Sequence, residues 1–325
     1  MPNSAIPAPP STRAGSVNRV TDLVVAVPTE RLAADLQPLP PGVEVVVWTM
    51  DDASPHPHLD IVVPPYMSAG RGLPHLANVS TRLVQGQSIG YEGVERTLPP
   101  GTVFANAATV HETSTAELAV ALTLAAQRQL PSFVRAQDER RWAPVFAESL
   151  ADRRVLLLGY GGVGKAIAAR LAPFEVVLVA VASRARVEDG VEVHAVDELP
   201  NLLGEVDILI ASLPGGEATR HIVDDAVLSA LPDGALVVNV GRGPLINTDA
   251  LVAHVERGRI RAALDVVDPE PLPADHPLWG LDGVLIAPHV GGASTAMQPR
   301  IARLVRRQID RMLAGLEPEN IVIRT

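Results

Sequence analysis

Arg154-Val155-Leu156-Leu157-Leu158-Gly159-Tyr160-Gly161-Gly162-Val163-Gly164 decides the fold of this chain. An apolar run reads as a buried strand, ends in spaced glycines, and opens into the helical segment Lys165–Leu171. Spaced glycines alone mean little, but between a strand and a helix they have distinct uses. Gly159 permits a tight turn, Gly161 lets a pyrophosphate approach the backbone, and Gly164 lets the helix pack closely. The helix N-terminus then offers unpaired N–H groups and a positive dipole end to phosphates. The stretch predicts a dinucleotide site.

Outward from this loop, strand and helix alternate. Val155–Leu158, Val176–Val181, Val206–Ala211, Leu236–Val240, Arg261–Val267 and Val284–Ala287 read as six strands. Helical segments Val163–Leu171, Asp224–Leu231 and Asp249–Arg257 lie between them. That order predicts a doubly wound parallel sheet, with ligands at the carboxyl ends of its strands. A second set of strands lies upstream, at Leu23–Val27, Val43–Trp48, Ile61–Val63, Arg82–Gln85 and Thr102–Phe104. Glu30–Leu36 and Gly72–Ala77 have helical or loop character between them. Ser114 and Glu117 form a capping box for an apolar helix, Leu118–Leu130, stopped by Pro131. Being apolar nearly all round, that helix should be buried at a domain junction or subunit contact. A last amphipathic helix puts Ile301, Leu304, Val305, Ile309, Met312 and Leu313 on one face and stops near Gly315.

Composition narrows the function. The 325 residues suffice for about two domains, and 47% apolar content fills more than one core. A formal net charge of −10 argues against nucleic-acid or anionic-membrane partners. With no cysteine, disulfides, cysteine zinc sites and thiol chemistry are excluded. His56-Pro57-His58 reads as a proline-rich loop, and no metal is expected. The apolar run Leu118–Ala126 falls far short of a membrane span. Met1–Asn18, with four prolines and no secretory pattern, reads as a disordered tail, with order beginning at Val20. The expectation is a cytoplasmic enzyme.

The strand after the glycine loop ends in Val181-Ala182-Ser183-Arg184-Ala185-Arg186, where an NAD site would present an acid to the ribose. Ser183 and Arg184 suit a 2′-phosphate instead, which favours NADP. Glu188 and Asp189 remain open as ribose ligands, so NAD stays possible. Three more motifs end later strands: Asn239-Val240-Gly241-Arg242-Gly243, Asp265-Val266-Val267-Asp268-Pro269-Glu270, and Pro288-His289-Val290-Gly291. Arg242, Glu270 and His289 are therefore expected in one crevice. Such a set can hold an anionic ligand and move a proton. A guanidinium fork matches a carboxylate, and an imidazole near neutrality donates a proton. An adjacent carboxylate keeps that imidazole charged.

This ordered set resembles the D-isomer-specific 2-hydroxyacid dehydrogenase family, over nearly everything from Val20 to Val322. The resemblance implies two doubly wound domains, a Rossmann dinucleotide-binding domain (118–290) inserted in a flavodoxin-like substrate domain (19–117 with 291–325). It implies that Arg242 binds the substrate carboxylate and keto oxygen. His289 is then the acid/base, Glu270 its partner, and Asp265 a contact at the nicotinamide end. Gln87-Ser88-Ile89-Gly90-Tyr91 matches the loop whose N–H groups, from Ile89 and Gly90, hold the substrate carboxylate, and His111 lines the same pocket. Gly162, Val163, Leu213, Pro214, Thr219, Val240, Gly241 and Gly291 complete the implied cofactor contacts. The implied partners are a small 2-keto or 2-hydroxy acid, of the glyoxylate or hydroxypyruvate kind, and a second copy of the chain. Two departures stand out: Gly162 replaces a polar or basic residue, and Tyr91-Glu92 displaces an acid usual in that loop. A dinucleotide-sensing corepressor of the same fold is the alternative.

Overall fold

The computed structural model describes residues 23–67 and 72–325. The expected tail and the start of order at Val20 lie outside the described residues. The first sheet takes β1 (Leu23–Val27), β2 (Val43–Val47), β3 (His58–Val62), β4 (Ser80–Gln85) and β5 (Val103–Ala105). The second takes β6 (Arg154–Leu158), β7 (Val177–Ala182), β8 (Arg186–Glu188), β9 (Val191–Ala195) and β10 (Ile208–Ala211). It continues with β11 (Ala235–Asn239), β12 (Ile260–Leu264) and β13 (Val284–Ile286). The chain then returns to the first sheet, where β14 (Ile321–Arg324) pairs antiparallel with β5.

The orders are β14-β5-β4-β3-β1-β2 and β13-β12-β11-β10-β6-β7-β9-β8. Both sheets are doubly wound. In the second the winding reverses between β6 and β10, so the glycine loop after β6 opens at the switch point, where ligands bind in such sheets. Its central strands are apolar on both sides because both faces are covered. Leu156 and Leu158 pack with Leu209, Val237 and Leu251 on one side. Val155 and Leu157 pack with Ala116, Ile167 and Val238 on the other, as the two-residue period of a strand requires.

Several expectations need correcting. The second sheet has eight strands rather than six, because the segment after Arg184 folds back as the β8–β9 hairpin. Short polar runs such as Arg186–Glu188 carry no apolar alternation. The edge strands β8 and β14 are antiparallel, so neither sheet is purely parallel. His58 opens β3 instead of lying in a loop, with Nε2 3.2 Å from Asp60 Oδ1.

The apolar helix runs Glu112–Gln127, so Ser114 is inside it and its hydroxyl donates to the His111 carbonyl at 3.1 Å. The capping box therefore does not form. Pro131 does not stop that helix but sits in the first turn of another, Leu130–Asp138, after Gln129 turns left-handed at φ 56°. The Glu112–Gln127 helix packs against the Gly162–Leu171 helix and the second sheet, which accounts for its apolar faces within one chain. The last helix, Met297–Leu313, covers the first sheet through Ile301, Leu304, Val305, Ile309 and Met312, whereas Leu313 is 39% exposed.

Candidate active site

The glycine loop has the geometry that its residues demand. Gly159 has φ +113°, and a β-carbon there would stand 2.9 Å from Ser212 Oγ. At Gly164 a β-carbon would fall 2.0 Å from the Gly159 carbonyl oxygen, so only glycine lets the helix sit so close. At Gly161 it would meet nothing within 4 Å, which leaves the approach to the backbone open. Gly161 caps the Gly162–Leu171 helix with no side-chain hydrogen bond. The first-turn N–H groups, from Gly162 and Val163 onward, are thus available to an anion. These residues fit a dinucleotide pyrophosphate. Leu213, just past β10, lies beside the loop, and the Thr219 hydroxyl donates to the carbonyl of the next residue, Pro214, at 2.8 Å.

Ser183 and Arg184 follow β7 directly and are exposed. Glu188 is engaged elsewhere: Lys165 donates to its Oε1, and Arg186 Nε donates to its Oε2 at 2.8 Å. Arg186 Nη2 also reaches the Tyr160 carbonyl at 3.1 Å, so the two arginines of this turn are not equivalent.

Arg242, Glu270 and His289 do converge at the carboxyl ends of β11, β12 and β13. His289 Nδ1 lies 2.5 Å from Glu270 Oε1. Its backbone is left-handed at φ 53°, and its N–H donates to the Asp265 carbonyl at 2.7 Å. Asp265 is buried, and its carboxylate accepts the N–H groups of Val290 at 2.7 Å and Gly291 at 3.0 Å. It thereby fixes the turn that carries His289. Asn239, the last residue of β11, does the same for the other turn. Its Nδ2 donates to the Arg242 carbonyl at 2.9 Å, and its Oδ1 accepts from Gly241 at 3.1 Å.

The hydrogen bond that His289 donates to Glu270 holds the imidazole above its ordinary pKa, and burial, which acts the other way, does not cancel it. Burial pushes the Glu270 carboxyl up, but the hydrogen bond and charge of His289, helped by the Val267 N–H and Arg242, bring it below the usual range. Burial raises Asp265 despite its two backbone donors. Both shifts favour the charged form of the His289–Glu270 pair.

The first sheet supplies the facing wall. A β-carbon on Gly90 would stand 1.6 Å from Arg242 Nη2, so the Ile89–Gly90 loop and the guanidinium are in contact. His111 is buried beneath this wall, with Nε2 2.6 Å from the Gln87 carbonyl and Nδ1 3.2 Å from the Gly292 carbonyl. Its ring stacks on Tyr66 at 5.7 Å.

Tyr66 was not singled out from sequence. Burial raises its phenol pKa, Asp265 adds to this and Arg242 opposes it, so the three share one crevice. Its place just past β3, after Pro64-Pro65, was the available signal. Asn239 and Lys165 were missed as well. Both act on backbone or carboxylate neighbours that are distant in sequence or invisible without a turn.

Residues 120–291 match the family model described as D-isomer specific 2-hydroxyacid dehydrogenase, NAD binding domain. A glyoxylate reductase of Thermofilum pendens is 33% identical over 216 residues, 64% of this chain and 64% of that protein. A D-isomer specific 2-hydroxyacid dehydrogenase of Xanthobacter autotrophicus Py2, in complex with NADPH and MES, superposes with a TM-score of 0.77 at 28% identity. That match covers 93% of this chain and 98% of the other. An NADPH-dependent glyoxylate/hydroxypyruvate reductase of Sinorhizobium meliloti, in complex with NADP and sulfate, gives a TM-score of 0.77 at 25% identity, over 92% and 97% of the two chains. With its glycine loop and its Arg242, Glu270 and His289 crevice, this chain belongs to the D-isomer specific 2-hydroxyacid dehydrogenase family, as an NAD(P)-dependent oxidoreductase of the CH–OH group.

Proposed function

We propose that the protein reduces a small 2-keto acid, of the glyoxylate or hydroxypyruvate kind, to its D-2-hydroxy acid, with NADPH preferred. The His289–Glu270 pair, charge-coupled to Arg242 in one crevice, is the observation that carries this reading. Arg242 grips the substrate carboxylate and keto oxygen, helped by the N–H groups of Ile89 and Gly90. When bound, the reduced nicotinamide supplies the hydride. His289 Nδ1 is committed to Glu270, which leaves Nε2 to give its proton to the developing alkoxide. Glu270 stabilises the imidazolium before that transfer, and Asp265 keeps the histidine turn in place. His111 lines the pocket through its contact with Gln87 and Tyr66.

The dinucleotide would be held by Gly159, Gly161, Gly162, Val163 and Gly164 at the pyrophosphate, and by Ser183 and Arg184 at the ribose. Leu213, Pro214, Thr219, Val240, Gly241, Asp265 and Gly291 complete its contacts. In the same reading residues 118–290 form the dinucleotide domain, inserted in a substrate domain of residues 19–117 and 291–325. The return of β14 to the first sheet supports that division. A homodimer belongs to the proposal too. Its support is the apolar arm at 130–146, where Trp142 is 96% and Phe146 109% exposed. The cytoplasm, which keeps NADPH reduced, is the proposed location. Among the described residues no helix is long and apolar enough to cross a membrane.

The direct test follows NADPH absorbance against a panel of 2-keto acids. Oxidation of NADPH by glyoxylate, hydroxypyruvate or a close analogue is expected; no turnover with any keto acid would refute the reading. Glu270→Gln tests the proton donor. Glu270 raises the His289 pKa, so its loss lowers that pKa, and the protonated donor then disappears at lower pH. The alkaline limb of the pH–rate profile for reduction should move to lower pH. An unmoved limb would mean that Glu270 does not control the donor.

A further inference from the structure

Glu92 lies on the loop after β4, two residues past Gly90, and reaches across the crevice. Its Oε1 accepts from Arg242 Nε at 3.1 Å and from the Gly215 N–H at 3.1 Å, and its Oε2 stands 3.5 Å from Arg242 Nη2. The carboxylate therefore covers one side of the guanidinium fork. It also sits on the bare face of Gly90. A β-carbon there would stand 2.7 Å from Glu92 Oε2, besides its clash with Arg242 Nη2. A carboxylate over Gly90 and against Arg242 is what the substrate seat is meant to hold. Here the protein's own side chain provides it.

We propose that Glu92 is a built-in competitor for the substrate seat, and that an incoming keto acid exchanges its carboxylate for that of Glu92. The inference rests on the reading of Arg242 and the Ile89–Gly90 loop as that seat. Exchange of one carboxylate for another keeps Arg242 paired throughout, so no lone charge is left in the crevice. The pair is half-exposed, with 29% of the Arg242 and 42% of the Glu92 side chain accessible, and such pairs are weak enough to be displaced by a small anion. Glu92 lies on a loop of the first sheet, Arg242 and Gly215 on loops of the second. The same contact thus ties the two walls together until substrate enters.

The test uses oxalate, a small planar carboxylate that cannot be reduced, titrated calorimetrically into the full chain loaded with NADPH. Glu92→Gln should bind oxalate about fivefold more tightly than the unaltered protein, the upper range for loss of one exposed ion pair. The KM for an active keto acid should fall by a similar factor. Glu92→Ala, which leaves no amide in the seat, should move both quantities in the same direction. Unchanged or weaker oxalate binding, or none in any of the proteins, would overturn the competitor role. Tighter oxalate binding without reduction of any keto acid would refute the reductase reading alone. Reduction by the unaltered protein with unchanged oxalate affinity in the variants would refute the competitor alone.

Discussion

His289→Gln is expected to lower kcat for keto-acid reduction by about 10²–10⁴, the usual cost of losing a positioned acid/base. The dissociation constant for NADPH should stay within about twofold, because glutamine removes no group from the glycine loop. The loss follows from the geometry of one ring. Its Nδ1 is spent on Glu270 at 2.5 Å, and Glu270 raises the pKa of the imidazole. A glutamine amide can hydrogen-bond to Glu270 but has no proton to give near neutral pH. Backbone strain has to be separated from chemistry, because His289 is left-handed at φ 53°. Asparagine adopts that region more readily than most side chains, so His289→Asn is the companion variant. Both should lose turnover while their melting temperatures remain near that of the unaltered protein. Wild-type turnover in either variant across pH 6 to 8 would show that another group donates the proton.

What could be read without coordinates follows a physical division. Strands buried on both faces, such as Leu156–Leu158 and Ile208–Ala211, declare themselves because nothing polar can stand in them. The glycine loop is equally plain, since Gly159 and Gly164 occupy positions that a β-carbon would fill. Arg242, Glu270 and His289 stood out because each follows a strand end, and sheets of this kind bring strand ends together. Edge elements hid themselves. β8 satisfies only one side of a sheet, and its Arg186-Val187-Glu188 run carries no core pattern; β14 is apolar at Ile321–Ile323 but only four residues long. Pro131 misled for a related reason: the same residue that ends one helix is favoured in the first turn of the next. The cross-crevice contacts were out of reach altogether. Glu92 and Arg242 are 150 positions apart, and neither residue type announces its partner.

The remaining large effect is the choice of cofactor. β7 ends at Ala182 and is followed by the exposed Ser183 and Arg184, which in the proposed reading meet the ribose, where an NAD enzyme presents an acid. Arg186 is already committed, to Glu188 at 2.8 Å and to the Tyr160 carbonyl at 3.1 Å. Among the described residues the Arg184 side chain has no such partner. Glu188 is likewise held by Lys165 and Arg186, so its carboxylate is neutralised by two cations. A charge-assisted contact from Arg184 to the 2′-phosphate is worth about 1.5–3 kcal/mol, roughly ten- to a hundredfold in affinity. In NADH that phosphate is a hydroxyl, and the guanidinium gains little. The unaltered protein should therefore show a kcat/KM about ten- to a hundredfold higher with NADPH than with NADH. Combining Ala182→Asp with Arg184→Ala should reverse the preference. The new carboxylate accepts from the ribose hydroxyl and repels the phosphate, and the cation that favoured the phosphate is gone. Steady-state kinetics with both cofactors on both proteins measures the ratio directly. Equal or better efficiency with NADH in the unaltered protein would overturn the assignment. Glu188 or Asp189 would then be the ribose ligand, which for Glu188 means giving up its contact with Lys165.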